Sequence, residues 1–452
     1  MPMRTEITLT ILLTCLTQAA CAADPGRMTY RGELSGKVNK SIGTGMSALL
    51  SFYEDLHTHP ELSLQEHRSA GKIAQRLRDF GYQVTTGVGG TGVVGILENG
   101  SGPTVLIRGD MDALPIIEDT GVPYASRVRV ERPDGQSVGV MHACGHDIHQ
   151  TCLVGTAGAL SEMRDKWHGR VMIVGQPAEE IGAGARMMIE DGLFERFAKP
   201  NYCIALHVSG EHPAGTVAYC PGWALANVDS VDIAIFGRGG HGSRPHQTID
   251  PVVIASQVVI ALQTIVSRRL DPQEPGVITV GSIHAGSKHN IISDEAKLQI
   301  TVRSYGEQTR RLLLDGIREV TINTCRALGC ARDPEVAVRE HEFTPSTFND
   351  PTLTNLGANV FRSVLGAENV IRTKPVMGGE DFGRFSEHLG VPGFIFWLGS
   401  VHQERFENSL KPGADPLPSL HSSKYYPDPV PTIETGVKCM TSLAMSLLQA
   451  KE

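Results

Sequence analysis

Cationic runs are missing from this 452-residue chain: its 41 lysines and arginines are dispersed rather than gathered in blocks, and the formal charge is −8. Binding to a phosphate backbone depends on clustered cations, so nucleic acid is excluded as the expected partner. Low-complexity tracts are missing as well, and 41% apolar with 20% charged residues describes a folded, soluble protein rather than a disordered one. At the N-terminus, the apolar run from Ile7 to Ala20 falls short of the roughly 18 to 20 residues that span a bilayer. With Arg4 before it and the small residues Ala20-Cys21-Ala22-Ala23 after it, the run reads as a secretory signal over residues 1–23. The expectation is export to the periplasm or medium without stable membrane insertion. Lipid attachment at Cys21 is an alternative, disfavoured by Gln18 three residues upstream.

Export implies a compartment that permits disulfides, so the cysteines need separate accounting. Cys325 and Cys330 are close enough in sequence to be bridged if the backbone turns between them. Cys152, Cys203, Cys220 and Cys439 read as buried thiols, and Cys144 sits among ligand-type residues.

The length exceeds the roughly 250 to 300 residues at which one core stops growing, so two domains are expected. Residues 41–226 alternate short apolar runs with helix-like stretches, the pattern of an α/β domain with a mostly parallel central sheet flanked by helices. TVLIRGD (104–110), RVMIVGQ (170–176) and YCIALHV (202–208) are buried strands on this reading, each followed by polar residues or glycine. Residues 227–343 follow the order strand, helix, strand, strand, helix, strand, which is the ferredoxin-like βαββαβ unit, and read as an inserted lid or dimerisation domain. Its first helix opens with Asp250 as N-cap and Pro251 at the first helical position. Residues 344–452 return to the first domain with the strand GFIFWLG (393–399) and a closing helix from about Thr432 to Gln449.

Ligand-type residues are densest in MHACGHDIH (141–149), where Cys144 and His146 flank one glycine and can face a single cation. His142, Asp147 and His149 read better as supporting polar residues. In QPAEEIGAGA a strand runs into Glu179 and Glu180. Adjacent carboxylates after a buried strand are costly unless a cation neutralises them, although a solvated acidic pair capping the next helix is the plainer alternative. His207 ends another strand and His421 lies far downstream; what recommends them is that residues following strands of one sheet converge on one crevice.

DLHTHPELSLQE (55–66), RGDMDALP (108–115), MHACGHD (141–147), PAEE (177–180), GGHGSRPH (239–246) and MGGEDF (377–382) together resemble the metallo-aminoacylase and carboxypeptidase family. Within it the chain is similar to hippurate hydrolases and indole-acetyl-amino acid hydrolases. The resemblance implies a two-metal amidohydrolase acting on N-acyl amino acids, with Cys144, His146, Glu180, His207 and His421 as metal ligands and Glu179 as general base. It implies a homodimer in which His241 of the lid stabilises the oxyanion, and it assigns Asn290 and Arg303 to the substrate carboxylate. Zn or Mn is the expected metal, with Co or Ni also admitted by this donor set. Ile148, Gln150 and the segment from Arg127 to Gly139 depart from the family pattern and bear on substrate range. A metallo-exopeptidase and a non-catalytic exported binding protein are the competing readings.

Overall fold

A computed structural model describes residues 32–131 and 135–450. The expected signal segment lies outside the described residues. The larger sheet runs, in spatial order, through Gln83–Val88, Gly92–Asn99, Trp167–Gln176, Thr104–Asp110, Tyr202–Pro213, Gly393–Val401, Val217–Tyr219 and Val370–Arg372. Trp167–Gln176, Thr104–Asp110, Tyr202–Pro213 and Gly393–Val401 are mutually parallel. Thr104–Asp110 is buried along its whole length. Such a strand reads as a continuous apolar run because both faces are covered.

Helices Ser35–Thr58, His146–Glu162 and Pro429–Leu447 pack together on one side of this sheet. Their apolar faces share one core with the strands through Leu56, Ile148, Leu153, Val437, Leu443 and Phe396. The closing helix begins at Pro429, slightly ahead of the sequence expectation, because Pro429 occupies its first turn.

A second sheet has the spatial order Gly276–Ala285, Glu295–Ser304, Asn227–Phe236 and Glu335–Val338, all antiparallel. Helices Pro251–Thr264 and Glu307–Ala327 pack on it. This is the split βαβ arrangement, with its own apolar cluster around Ile233, Val258, Leu298 and Ile317. The Asp250 carboxylate accepts from Val252 N at 2.9 Å, as its N-cap position requires. Strand Asn227–Phe236 alternates strictly between buried and half-buried residues, so Val228 and Ser230 face away from the helices.

Among the described residues, one helical stretch, Pro251–Arg269, is long and apolar enough to cross a membrane by composition. Ile254, Val258 and Leu262 of this stretch are committed to the second core, whereas Val252, Val253 and Ile260 are exposed. Cys325 and Cys330 are free thiols on a helix end that does turn, with Cys330 N donating to Cys325 O at 3.0 Å. Cys152, Cys203, Cys220 and Cys439 are buried.

Candidate metal centre

Strands Thr104–Asp110 and Trp167–Gln176 end at one crevice, whereas Tyr202–Pro213 runs on to Pro213, so His207 lies within its strand rather than at its end. Helix His146–Glu162 starts directly after the Cys144-Gly145 turn, and Gly145 has φ 71°. A Cβ there would lie 2.6 Å from Val208 Cγ2, so both the backbone conformation and the space demand glycine. The turn sets the Cys144 Sγ 3.5 Å from His207 Nε2. His421, itself at φ 65°, is tied to the same loop by its N–H, which donates to Ala143 O at 2.9 Å.

The imidazole tautomers follow from their backbone partners. His207 Nδ1 lies 2.8 Å from Val208 O and His146 Nδ1 lies 2.8 Å from Asp112 O, so each Nδ1 carries the proton and donates it. Both Nε2 lone pairs then face the crevice. His146 Nε2 is 3.8 Å from Glu179 Oε2 and 3.8 Å from Glu180 Oε1, and His421 Nε2 is 3.5 Å from Glu180 Oε2. Among the described residues, His146 Nε2 and Glu180 Oε1 are buried without a hydrogen-bond partner.

Orphaned buried acceptors are rare in native proteins, and a cation is one of the few things that satisfies several at once. Two three-donor groups meet here, Cys144/His146/His207 and Cys144/Glu180/His421, each with ligand atoms within 4.8 Å of one another. They share the cysteine sulfur. A thiolate, imidazoles and a carboxylate form a donor set suited to divalent transition metals. Burial, then the Glu180 charge, holds the Cys144 thiol well above its usual range, so a nearby cation is what this sulfur requires in order to ionise.

The grouping of Asp110, His146 and His149 also has metal-like spacing, but its chemistry rules it out. Val208 N donates to His149 Nε2 at 2.8 Å, so Nδ1 carries the proton toward Asp110 Oδ1 at 2.5 Å. Both nitrogens of His149 are consumed. Asp110 is likewise engaged by Arg108 at 2.6 Å.

Glu179 and Glu180 leave the strand Trp167–Gln176 on a turn whose amides are fixed from below. Asp112 accepts from Glu179 N at 3.2 Å and from Glu180 N at 3.0 Å, and also from Ser63 Oγ at 2.7 Å. Burial, then the Glu380 and Glu180 charges, raises the Glu179 carboxyl well above the usual range. Glu180 rises to about 7, chiefly through burial, with Asp112 and Asp110 adding to it against the pull of His146.

Charge around the crevice is organised by Arg108, fully buried in the central strand. Its guanidinium bonds Gln176 at 2.8 Å, Asp110 at 2.6 Å, Glu380 at 2.7 Å and Asp381 at 3.3 Å. Composition supplies the missed signal: an arginine inside a run as apolar as TVLIRGD must find buried anions. A second buried pairing escaped the sequence reading. His57 has Asp147 Oδ2 2.6 Å from Nδ1 and Glu118 Oε1 3.1 Å from Nε2, so both nitrogens donate and the ring is an imidazolium. Burial opposes the charge, but the two carboxylates override it and raise the pKa from 6.5 to about 9.

A pKa raised by folding contributes stability that is complete below about pH 6.5 and disappears as pH rises through about 9. Thermal midpoints measured between pH 6.5 and 9.5 are expected to fall in the wild type and to fall less in His57→Gln. Parallel curves would mean that His57 is not charged.

The crevice opens into a cleft of about 480 Å³ lined by Cys144, Glu179, Glu180, His207 and His421 from the larger unit and by Val228, Ser230 and Arg303 from the second sheet. Arg303 pairs in register with Val228, on the helix-free face, and its guanidinium donates to Thr301 Oγ1 at 3.1 Å and to Met377 O at 3.5 Å. His241 and Asn290 are elsewhere. They lie on exposed, adjoining segments, with His241 beside Ile291 and Gly242 N donating to Asn290 O at 2.9 Å. The strand Glu295–Ser304 alone carries the chain roughly 26 Å from Glu295 to Arg303, at about 3.3 Å per residue over eight steps, and Asn290 precedes that strand by five residues. Arg303 lines the cleft of its own subunit, whereas His241 and Asn290 do not.

Residues 106–443 match the family described as peptidase family M20/M25/M40. Thermostable carboxypeptidase 1 of Saccharolobus solfataricus is 36% identical over 407 residues, covering 89% of this chain and 95% of that protein. The hippurate hydrolase of Campylobacter jejuni is 38% identical over 334 residues, covering 74% of this chain and 83% of that protein. Among solved structures, Bacillus subtilis YXEP, described as a dinuclear metal binding peptidase, superposes with a TM-score of 0.71 at 30% identity, covering 89% of this chain and 98% of that one.

Proposed function

Since the chain belongs to peptidase family M20/M25/M40, we propose that it is a metal-dependent amidohydrolase that cuts N-acyl amino acids into a carboxylic acid and a free amino acid. The observation that carries this reading is the meeting of two donor triads, a base-like carboxylate and a half-buried arginine at one cleft. Cys144, His146, Glu180, His207 and His421 would hold two divalent cations, and Zn or Mn suits this mixed sulfur, nitrogen and oxygen set, with Co or Ni admitted. When bound, such a pair polarises the amide carbonyl and acidifies water.

The rest is the work of side chains. Glu179, with its proton affinity raised by burial, takes a proton from the attacking water and delivers it to the departing nitrogen. Asp112 holds the Glu179 and Glu180 amides, so the two carboxylates keep separate tasks. Arg303 presents a planar fork to the α-carboxylate of the substrate. His241 and Asn290 would act in the cleft of a second copy, which supports a homodimer; the exposed Val252, Val253 and Ile260 on the second unit's helix favour the same assembly. The N-terminal composition supports export to the periplasm or medium.

Replacing Arg303 by Ala is expected to raise KM for an N-acyl amino acid roughly 10- to 100-fold while changing kcat less, as loss of a charged hydrogen-bonding pair does. The matching carboxamide substrate should show no such difference between wild type and variant. The reaction class is tested by free amino acid release from N-acetyl, N-benzoyl and N-fatty-acyl amino acids beside dipeptides. Faster release from dipeptides would favour an exopeptidase, the reading that similarity to a carboxypeptidase keeps in view.

A further inference from the structure

We infer that Glu66, remote in sequence from the donor cluster, is a positioning residue that holds the Ala178-Glu179-Glu180 turn in its working conformation. The inference rests on Glu179 being the proton-transfer group.

Glu66 is fully buried, and its carboxylate makes three hydrogen bonds. Oε1 accepts from Leu64 N at 2.9 Å and from Ala178 N at 2.8 Å, while Oε2 accepts from Thr91 Oγ1 at 2.6 Å. Ala178 has φ 49°, in the left-handed region that an alanine enters only when its surroundings impose it. Only two other non-glycine residues among those described have positive φ, Leu64 and His421. Glu66 therefore grips two of the three strained positions, and the third belongs to the donor set.

The geometry has a clear consequence. Three consecutive amides, those of Ala178, Glu179 and Glu180, are held by two buried carboxylates: Glu66 takes the first, and Asp112 takes the next two. On the other side of the same residue, the Ala178 carbonyl accepts from Ala183 N and Gly184 N, each at 3.1 Å, closing the turn. With Ala178 left-handed, the chain reverses so that both following carboxylates reach the crevice beside His146. A β-region or right-handed Ala178 would swing Glu179 away, and misplacement of a catalytic group by about 1 Å can cost about 10²-fold in rate.

Removing the grip should lower turnover, and removing the need for the grip should restore it. Glycine enters the left-handed region without the Cβ penalty. Glu66→Ala, assayed at saturating metal, is therefore expected to lower kcat by about 10²-fold with KM within about twofold of wild type. Adding Ala178→Gly to it should recover about tenfold of that loss, whereas Ala178→Gly alone should leave kcat near wild type. Glu66→Gln keeps the carbonyl acceptor and can donate to Thr91, and should retain most of the activity. A merely structural role for Glu66 predicts no rescue by glycine.

If Glu66→Ala fails to fold, Thr91→Val releases the steering bond on Oε2 and should lower kcat by about threefold at unchanged KM; an unchanged kcat would then overturn the proposal. A folded Glu66→Ala enzyme with near-normal kcat, or a loss that Ala178→Gly leaves untouched, would overturn it as well. Glu179→Ala separates the two claims. If that variant stays active, the assignment of the base fails; if it is dead while Glu66→Ala is normal, only the positioning role of Glu66 fails.

Discussion

Glu179→Ala is expected to lower kcat by roughly 10³-fold, the middle of the range that positioned acid–base groups supply. The reason lies in where this carboxyl sits. Its backbone amide is bonded to Asp112 and its side chain faces His146, Glu180 and Glu380 across short distances. Truncation beyond Cβ leaves that amide bond in place, and it leaves Cys144, His146, Glu180, His207 and His421 unaltered. Metal content should therefore stay close to that of wild type, as measured on the same preparation by elemental analysis. Glu179→Gln should be nearly as inactive as the alanine variant, because it preserves volume and hydrogen bonding but cannot accept the proton. Activity near wild type in either variant would remove Glu179 from the mechanism.

The second large effect is on stability. Arg108→Met should destabilise the fold by about 3 to 5 kcal/mol, the usual result of deleting one partner of a buried ion pair. Methionine fills much of the same volume, but Asp110, Glu380 and Asp381 then face one another without a cation. Asp381 already sits at about 7 even with the arginine present, through burial first and Glu380 next, against the pull of Arg108. Arg108→Lys keeps the charge but not the four-way fork, and should recover only part of the loss. Urea unfolding followed by fluorescence gives the midpoint. A midpoint for Arg108→Met equal to that of wild type would show that the carboxylates are neutral in the folded protein.

These two residues also mark what could be read from the chain before its fold was known. Cys144, His146 and Glu180 lie in short motifs whose spacing has a chemical reason, and the structure gathers them. The split βαβ unit was legible because its strands alternate at period two and its helix carries Asp250 and Pro251 at the right places. His207 and His421 needed the resemblance, since a single histidine carries little local signal.

What stayed hidden was the support. Arg108 meets Glu380 across 272 positions, Glu66 meets Ala178 across 112, and His57 meets Asp147 across 90. Each of these groups sits in a motif that supported the resemblance, yet only Asp147 reads as a supporting residue, and without a partner, because a carboxylate or imidazole reveals its partner only after the strands are in register. The pair Asn290 and Arg303 shows the opposite limit. The resemblance joins them at one substrate, whereas in a single subunit Arg303 lines the cleft and Asn290 does not.

On the proposed function, the donor cluster turns over an amide whose product is a free amino acid. The most direct test is the rate of glycine release from N-benzoylglycine by the purified protein, taken as prepared, after chelation and after return of Zn²⁺ or Mn²⁺. Measurable release is expected, abolished by chelation and restored by the cation. Release that persists unchanged in a protein stripped of metal, or no release from any N-acyl amino acid by a protein holding two equivalents, would contradict it.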